Sequence, residues 1–265
     1  MSETVPAPVP GGAVPPRRVL VTGASGGVGA AVAHAFARLG DRVALHYSAN
    51  PDRAERVRAD LPGDGHIVVG ADLADPAAIA RLVEDSVSGL GGIDVLVNNA
   101  AAPTPSHPPA DTSYADWVDT WQRVVSINLL GTANLTHQVA ARMIAQGTGG
   151  RIVNIGSRGA FRGEPDHPAY GASKAGLHSL GQSLAVALAP HGIAVTSVAP
   201  GFVDTDRVAN RLTGEQGQVI RAQSPFDRVA VPEEIAAAVV YLASGEALWA
   251  SGAILDLNGA SYLRA

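Results

Sequence analysis

Cysteine is absent from all 265 residues. That excludes disulfides, thiolate metal sites and thiol nucleophiles together, and it suits a reducing cytoplasm. Charge is sparse as well: 19 Lys and Arg against 24 Asp and Glu leave a net charge of −5. Without a basic excess there is no electrostatic footprint for nucleic acid, and without a Lys/Arg cluster none for an anionic membrane surface. No apolar run approaches the ~18 residues that a membrane-spanning helix requires. No His/Asp/Glu cluster has the spacing of a metal site, so no metal is expected. Neither nucleic acid nor a membrane is therefore an expected partner.

Apolar residues are plentiful at 46%, enough to cover a large sheet on both faces. Residues 1–16, rich in Pro, Gly and Ala, lack both a basic start and an apolar centre and read as a mobile tail rather than a signal peptide or helix. Residues 17–265 show no linker, repeat or shift of composition and are expected to form one domain. Short β-branched runs alternate there with Ala-rich helical stretches. The expected strands are Val19–Val21, Val43–Leu45, Ile67–Val69, Val95–Val97, Ile152–Ile155, Ala194–Val198 and Ile254–Leu257. Between the first two, Val32, Phe36 and Leu39 recur at helical spacing, closed by Gly40. Strands apolar on both faces and separated by helices imply an α/β fold, a doubly wound parallel seven-stranded sheet of Rossmann type in three α/β/α layers. Ligands of such sheets bind beyond the carboxyl ends of the strands.

The first strand runs into Thr22-Gly-Ala-Ser-Gly-Gly-Val-Gly29. Gly23, Gly27 and Gly29, with Ser25 and Val28 between them, stand where a pyrophosphate meets backbone N–H groups and the positive end of a helix. A glycine cluster also suits an ordinary turn, so position within the first βα unit is what favours a dinucleotide. An NAD site usually carries an acid at the end of strand two, for the ribose 2′-hydroxyl. Here that strand ends His46-Tyr47-Ser48, with no carboxylate. The spacing therefore favours NADP(H), with NAD(H) the alternative, and Ser48, Asn50 or Arg53 as phosphate ligands. No arginine stands in the glycine loop or directly after the strand, and Arg53 reads equally as a solvated helix residue.

Tyr170-Gly-Ala-Ser-Lys174 opens an Ala-rich helix, and Ser157 lies thirteen residues earlier at the end of strand five. Tyr170 and Lys174 share one helical face. A phenol is a poor proton donor or acceptor at neutral pH, and an adjacent ammonium draws its pKa toward the working range. Ser157 is placed to hydrogen-bond a substrate oxygen. A Tyr–Lys surface pair is common by itself. Together, the glycine loop, Ser157, Tyr170 and Lys174 resemble the short-chain dehydrogenase/reductase family over nearly everything from residue 17 onward.

Further segments match in family order. Asp72 and Leu73 resemble the pair that contacts adenine. Asn98-Asn-Ala-Ala101 resembles an Asn-Asn-Ala-Gly motif, which places Asn99, Ala100 and Ala101 beside the cofactor, with Ala101 standing where the family has glycine. Asn128 resembles the fourth member of the catalytic tetrad. Pro200-Gly-Phe-Val-Asp-Thr205 resembles the loop that holds the nicotinamide carboxamide through Pro200, Gly201, Val203 and Thr205. The resemblance implies hydride exchange between nicotinamide and a carbonyl or secondary alcohol. Tyr170 is then general acid/base, Lys174 lowers its pKa and binds the nicotinamide ribose, Ser157 polarises the carbonyl, and Asn128 orders a water. Tyr47, at the place of the missing acid, joins the cofactor set.

On the substrate side, residues 206–227 resemble the family's lid and carry Arg207, Arg211 and Arg221. Arg158 and Arg162 follow Ser157. Each is either a ligand for an anionic substrate or a solvated arginine at a pocket mouth. Trp117 and Trp121 read as packing residues. Pro232-Glu-Glu-Ile235 and Tyr241-Leu-Ala-Ser244 make the chain similar to 3-oxoacyl-carrier-protein reductases, though sugar, steroid and polyketide reductases share this likeness. The likeness does not name the substrate. The expected reaction interconverts a ketone and a secondary alcohol, a 3-oxoacyl thioester or related carbonyl compound being one substrate and an NAD-dependent alcohol, sugar or steroid dehydrogenase of the same family the alternative. Non-catalytic redox sensing is disfavoured by the presence of both Tyr170 and Lys174. The resemblance also implies a homotetramer or homodimer, assembled through the Tyr170 helix.

Overall fold

The computed structural model describes residues 15–206 and 208–264, so most of the expected tail, Arg207 and Ala265 lie outside the described residues. The strands are β1 (Arg18–Val21), β2 (Arg42–Tyr47), β3 (Ile67–Gly70), β4 (Val95–Asn98), β5 (Gly150–Ile155), β6 (Ile193–Pro200) and β7 (Ile254–Leu257). They form one sheet in the order β3-β2-β1-β4-β5-β6-β7, and every pairing is parallel. All seven expected strands are present, most of them a residue or two longer at an end.

Parallel neighbours need crossovers, and helices supply them. These are α1 (Gly27–Arg38), α2 (Pro51–Asp60), α3 (Pro76–Leu90), α4 (Tyr114–Val125), α5 (Thr132–Gln146), the single-turn α6 (Gly159–Arg162), α7 (Pro168–Leu188), α8 (Gly214–Arg221) and α9 (Pro232–Leu242). One face of the sheet buries Leu82 of α3, Leu135 and Met143 of α5 and Leu188 of α7. The other buries Val32 and Phe36 of α1 and Ile235 and Val239 of α9. These two apolar layers make the α/β/α sandwich. Leu39 departs from the expected stripe: α1 ends at Arg38, and Leu39 turns outward, 58% exposed. Its place is taken by Ala33 and Ala37, which sit against the sheet.

The strand order reverses between the paired strands β1 and β4, and the chain leaves them toward opposite faces of the sheet, opening a crevice at their carboxyl ends. At the opposite end Arg17 and Arg18 bind Asp41 and Asp94, each at 2.6 Å, fastening β1 to the starts of β2 and β4. The pins are therefore at one end and the crevice at the other.

Candidate active site

The loop after β1 is shaped by glycines that no other residue replaces. Gly23 and Gly27 have φ of +64° and +55°, a region that costs an L side chain energy. Gly29 is helical, but a methyl group there would lie 2.3 Å from the Gly23 carbonyl oxygen and 2.6 Å from Asn99 Nδ2. Asn99 Nδ2 donates to the carbonyls of Thr22 and Gly23 at 2.8 and 3.1 Å, and Thr22 Oγ1 accepts from the Asn99 and Ala100 amides. The Asn-Asn-Ala-Ala segment after β4 thereby holds the glycine loop in place. Helix α1 starts without a side-chain cap and without an acidic residue in its first turn. Its N–H groups and positive end remain for an anion. Above the loop Thr205 packs against Gly27, its methyl 3.3 Å from where a side chain there would begin.

Tyr170 enters on the first turn of α7 and Lys174 one turn later. Lys174 is 2% exposed, its Nζ donating to the Ile155 carbonyl at 2.7 Å and lying 5.7 Å from the Tyr170 ring centroid. Ser157 is two residues beyond Ile155, so the end of β5 delivers both the lysine's acceptor and the serine. Ser157 Oγ accepts from the Gly159 amide at 3.0 Å, which orients it. Asn128 lies on a π-helical turn, Ser126–Gly131, between α4 and α5. Its Oδ1 accepts from the Ala102 amide at 2.7 Å, and its Nδ2 donates to Ser173 Oγ, which in turn donates to the Tyr170 carbonyl. The four expected catalytic residues thus come together from β5, the π turn and α7.

A family model described as enoyl-(acyl carrier protein) reductase matches residues 23–259. An L-rhamnose 1-dehydrogenase (NAD(P)(+)) of Sphingomonas sp. is 36% identical over 93% of this chain and 96% of its own length. A D-threitol dehydrogenase of Mycolicibacterium smegmatis is 37% identical over 91% of this chain and 90% of its own. Among solved structures, a 3-ketoacyl-(acyl-carrier-protein) reductase from Brucella melitensis complexed with NADH superposes with a TM-score of 0.84, at 29% identity, over 93% of this chain and 98% of that one. The chain belongs to the short-chain dehydrogenase/reductase family. It is an oxidoreductase of that family, acting on CH–OH donors with NAD or NADP as acceptor.

Within this family's frame, the glycine cradle and the uncapped α1 fit a dinucleotide pyrophosphate. Asp72 is exposed and Leu73 buried just beyond β3, and Asp72 Oδ1 accepts from the Ala74 amide to shape the turn. Gly201 donates to the Leu257 carbonyl, and Val203 bridges to Ala230, so the loop after β6 is tied to β7 and to the start of α9. Tyr47 lies along Gly70 of β3, its hydroxyl 2.7 Å from where a side chain at 70 would begin. The ring thus packs on its neighbour strand, and Ser48 stands exposed at the strand's end. Arg53 reaches back from α2 until its guanidinium is 2.9 Å from where a Gly26 side chain would start. It also meets Asp206 at 3.1 Å across the exposed mouth. A cation therefore does stand at the glycine loop, supplied by α2.

Three features of this dehydrogenase/reductase escaped sequence reasoning. His46, buried in β2, accepts from the Gly23 amide through Nδ1 at 3.1 Å and donates from Nε2 to the Ala71 carbonyl at 3.0 Å. Burial holds its pKa down to about 4, which keeps the imidazole neutral and able to accept. His107 caps α7: Nδ1 donates to the Pro105 carbonyl, and Nε2 accepts from the amide of Ala169, the residue before Tyr170, at 3.2 Å. Trp117 and Trp121 pack at a tilt with ring centroids 5.5 Å apart, and Trp117 meets His107 edge-on at 5.9 Å, so both tryptophans are packing residues. Third, the C-terminal segment folds back on α6 of its own chain. Tyr262 donates to the Phe161 carbonyl, and Arg264 covers the Phe161 ring at 4.6 Å. The one signal in the sequence for the histidines is polarity where an apolar residue is the rule: a buried imidazole must find partners.

Proposed function

We propose that this chain interconverts a ketone and a secondary alcohol with NADP(H) as the favoured cofactor, Tyr170 serving as general acid/base. The observation that carries the reading is the buried Lys174 ammonium, held by the Ile155 carbonyl and facing the Tyr170 ring. A cation in that place stabilises phenolate and makes the phenol a usable proton donor near neutral pH. In reduction Tyr170 gives its hydroxyl proton to the carbonyl oxygen, and in oxidation it takes that proton back. Ser157 donates a hydrogen bond to the same oxygen and holds it beside the phenol. Lys174 keeps the phenol's pKa low and contacts the nicotinamide ribose. Asn128 fixes the α7 backbone through Ser173 and orders a water on the way to solvent. When bound, the nicotinamide supplies or accepts the hydride at the reacting carbon.

Arg53 at Gly26, with no acid at the end of β2, supports the preference for a 2′-phosphate. Pro200, Gly201, Val203 and Thr205 hold the carboxamide, and Asp72, Leu73 and Asn99–Ala101 hold the adenosine. A 3-oxoacyl thioester or related carbonyl compound is one substrate class. The rhamnose and threitol dehydrogenases among the relatives support a second, a polyhydroxy secondary alcohol. The chain acts in the cytoplasm as one domain, residues 17–265, joined into a homotetramer or homodimer through α7. The exposed side of α7 supports this with Ala172, Ala175, Ser179, Ser183, Val186 and Ala187, none of them charged.

A panel of 3-oxoacyl thioesters, ketoses, polyols and cyclic ketones, followed by cofactor absorbance with NADPH and NADH in parallel, tests the reading. Turnover of at least one class with NADPH ahead of NADH is expected. No turnover of any member with either cofactor overturns it.

A further inference from the structure

The loop after β6, the end of the lid and the C-terminal segment enclose a cavity of about 340 Å³, walled by Phe202, Ile220, Phe226, Ile235 and Leu257 with Arg158 at one side. Ser157, Tyr170 and Lys174 are not among its lining residues. Its other charged walls are neutralised within the protein: Arg228 binds Glu234 at 2.6 Å, and Asp256 binds Arg264 at 2.7 Å. Arg158 differs. It is 4% exposed, and no carboxylate among the described residues lies within ion-pair distance of it.

Its partners are neutral. The guanidinium donates to the Ser261 hydroxyl and, at 2.5 Å, to Gln223 Oε1, and it lies over the Phe202 ring at 5.2 Å. Arg162 donates to the same Gln223 oxygen at 3.2 Å, so two cations converge on one uncharged acceptor. Burial holds the Arg158 pKa below its ordinary value, Arg162 lowers it further, and the Glu164 carboxylate partly offsets this. A buried cation with no carboxylate in direct contact is unfavourable, since little of the cost of taking it out of water is repaid. A carboxylate has the planar shape of the Gln223 carboxamide but carries a full charge, and charge-assisted hydrogen bonds are roughly twice as strong as neutral ones. The lining mixes apolar side chains with polar ones, among them Ser224, Asn258 and Ser261, and a pocket of this kind orients its ligand through a few convergent polar groups.

We propose that this cavity binds a small apolar carboxylate, an aromatic or short aliphatic acid, whose carboxylate takes the place of Gln223 on Arg158 and whose hydrocarbon part rests against Phe202 and Leu257. The site is separate from the catalytic centre but touches it twice, because Arg158 follows Ser157 in the chain and Gln223 belongs to the lid. Occupancy frees Gln223 and so loosens the lid from the loop after β5.

Calorimetric titration of the full chain with sodium benzoate, and with benzamide as its neutral counterpart, tests the assignment. Benzoate is expected to bind at least tenfold more tightly than benzamide. Gln223→Glu supplies an internal carboxylate and should raise the melting temperature while lowering benzoate affinity at least tenfold. Arg158→Gln should lose the preference as well. Equal binding of benzoate and benzamide to the wild type overturns the proposal, as does unchanged benzoate affinity in Gln223→Glu, which keeps the test valid if Arg158→Gln fails to fold. Competition between benzoate and the ketone substrate would place the anion in the catalytic pocket and overturn a separate site. Ketone turnover, read on the same preparations, reports on the oxidoreductase reading independently.

Discussion

The general acid/base role proposed for Tyr170 rests on Lys174, which is buried beside it and bonded to the Ile155 carbonyl. Tyr170→Phe keeps the ring and removes the proton. General acid/base catalysis contributes ~10²–10⁴-fold, so kcat should fall by about that factor while NADPH still binds by fluorescence titration. A kcat within a few-fold of wild type contradicts the role. Arg53 makes a narrower claim. Arg53→Ala should raise KM for NADPH about tenfold and leave KM for NADH nearly unchanged, because only one cofactor offers the 2′-phosphate; equal changes in both would detach Arg53 from cofactor choice.

His46 links the same residue scale to pH. Unfolded, the imidazole titrates near its ordinary 6.5; folded, burial lowers this to about 4. Between these values the unfolded chain binds more protons, so stability falls as pH drops from about 6.5 toward 4. At ~1.36 kcal/mol for each pKa unit, the full loss from His46 is on the order of 3 kcal/mol. Burial lowers His178 to about 4 too, with the same sign. The urea midpoint should therefore decline steadily from pH 7 to pH 5, and a flat midpoint over that range would contradict the buried neutral state.

At the scale of elements, the crevice depends on how closely α1 approaches β1 and β4. Gly29→Ala puts a methyl against the Gly23 carbonyl, and neither backbone can yield without opening the loop. Cofactor affinity should drop at least tenfold, with a smaller loss of thermal stability; dye-monitored melting with and without NADPH separates the two. The strands were legible because runs such as Ala194–Val198 are apolar on both faces, which only a doubly covered parallel sheet needs. The catalytic helix was legible because Tyr170 and Lys174 are one turn apart.

What was not legible depends on contacts far apart in sequence. The π turn at Asn128 exists where Gly131 meets the Leu73 carbonyl, with no room for a side chain. The cap on α7 comes from His107, 62 residues before Ala169. Arg53 read equally well as a solvated helix residue, since nothing local reveals that α2 aims it at Gly26. Leu39 fitted the helical spacing, but α1 stops one residue short of it.

For the whole molecule, the proposed assembly through α7 would join subunit contact to chemistry. The helix that carries Tyr170 and Lys174 on its inner side presents exposed small residues, with Val186 80% exposed, on its outer side. A two-fold contact there is self-complementary and would stiffen the catalytic turn. Ser183→Arg should shift the mass seen by light scattering toward the monomer and lower kcat with it, because an unpaired charge in a packed contact is strongly unfavourable. A wild type that is monomeric at micromolar concentration with full activity contradicts this assembly. The claim on which the account rests is hydride transfer between nicotinamide and a carbonyl carbon, with the proton from Tyr170. Its most direct measurement is one reduction of the best ketone with NADPH carrying deuterium at both C4 positions, read by mass spectrometry of the alcohol. Wild-type product is expected to carry deuterium on the carbinol carbon, and Tyr170→Phe to form far less of the same deuterated alcohol; a wild-type product alcohol with no deuterium would contradict hydride transfer from the cofactor.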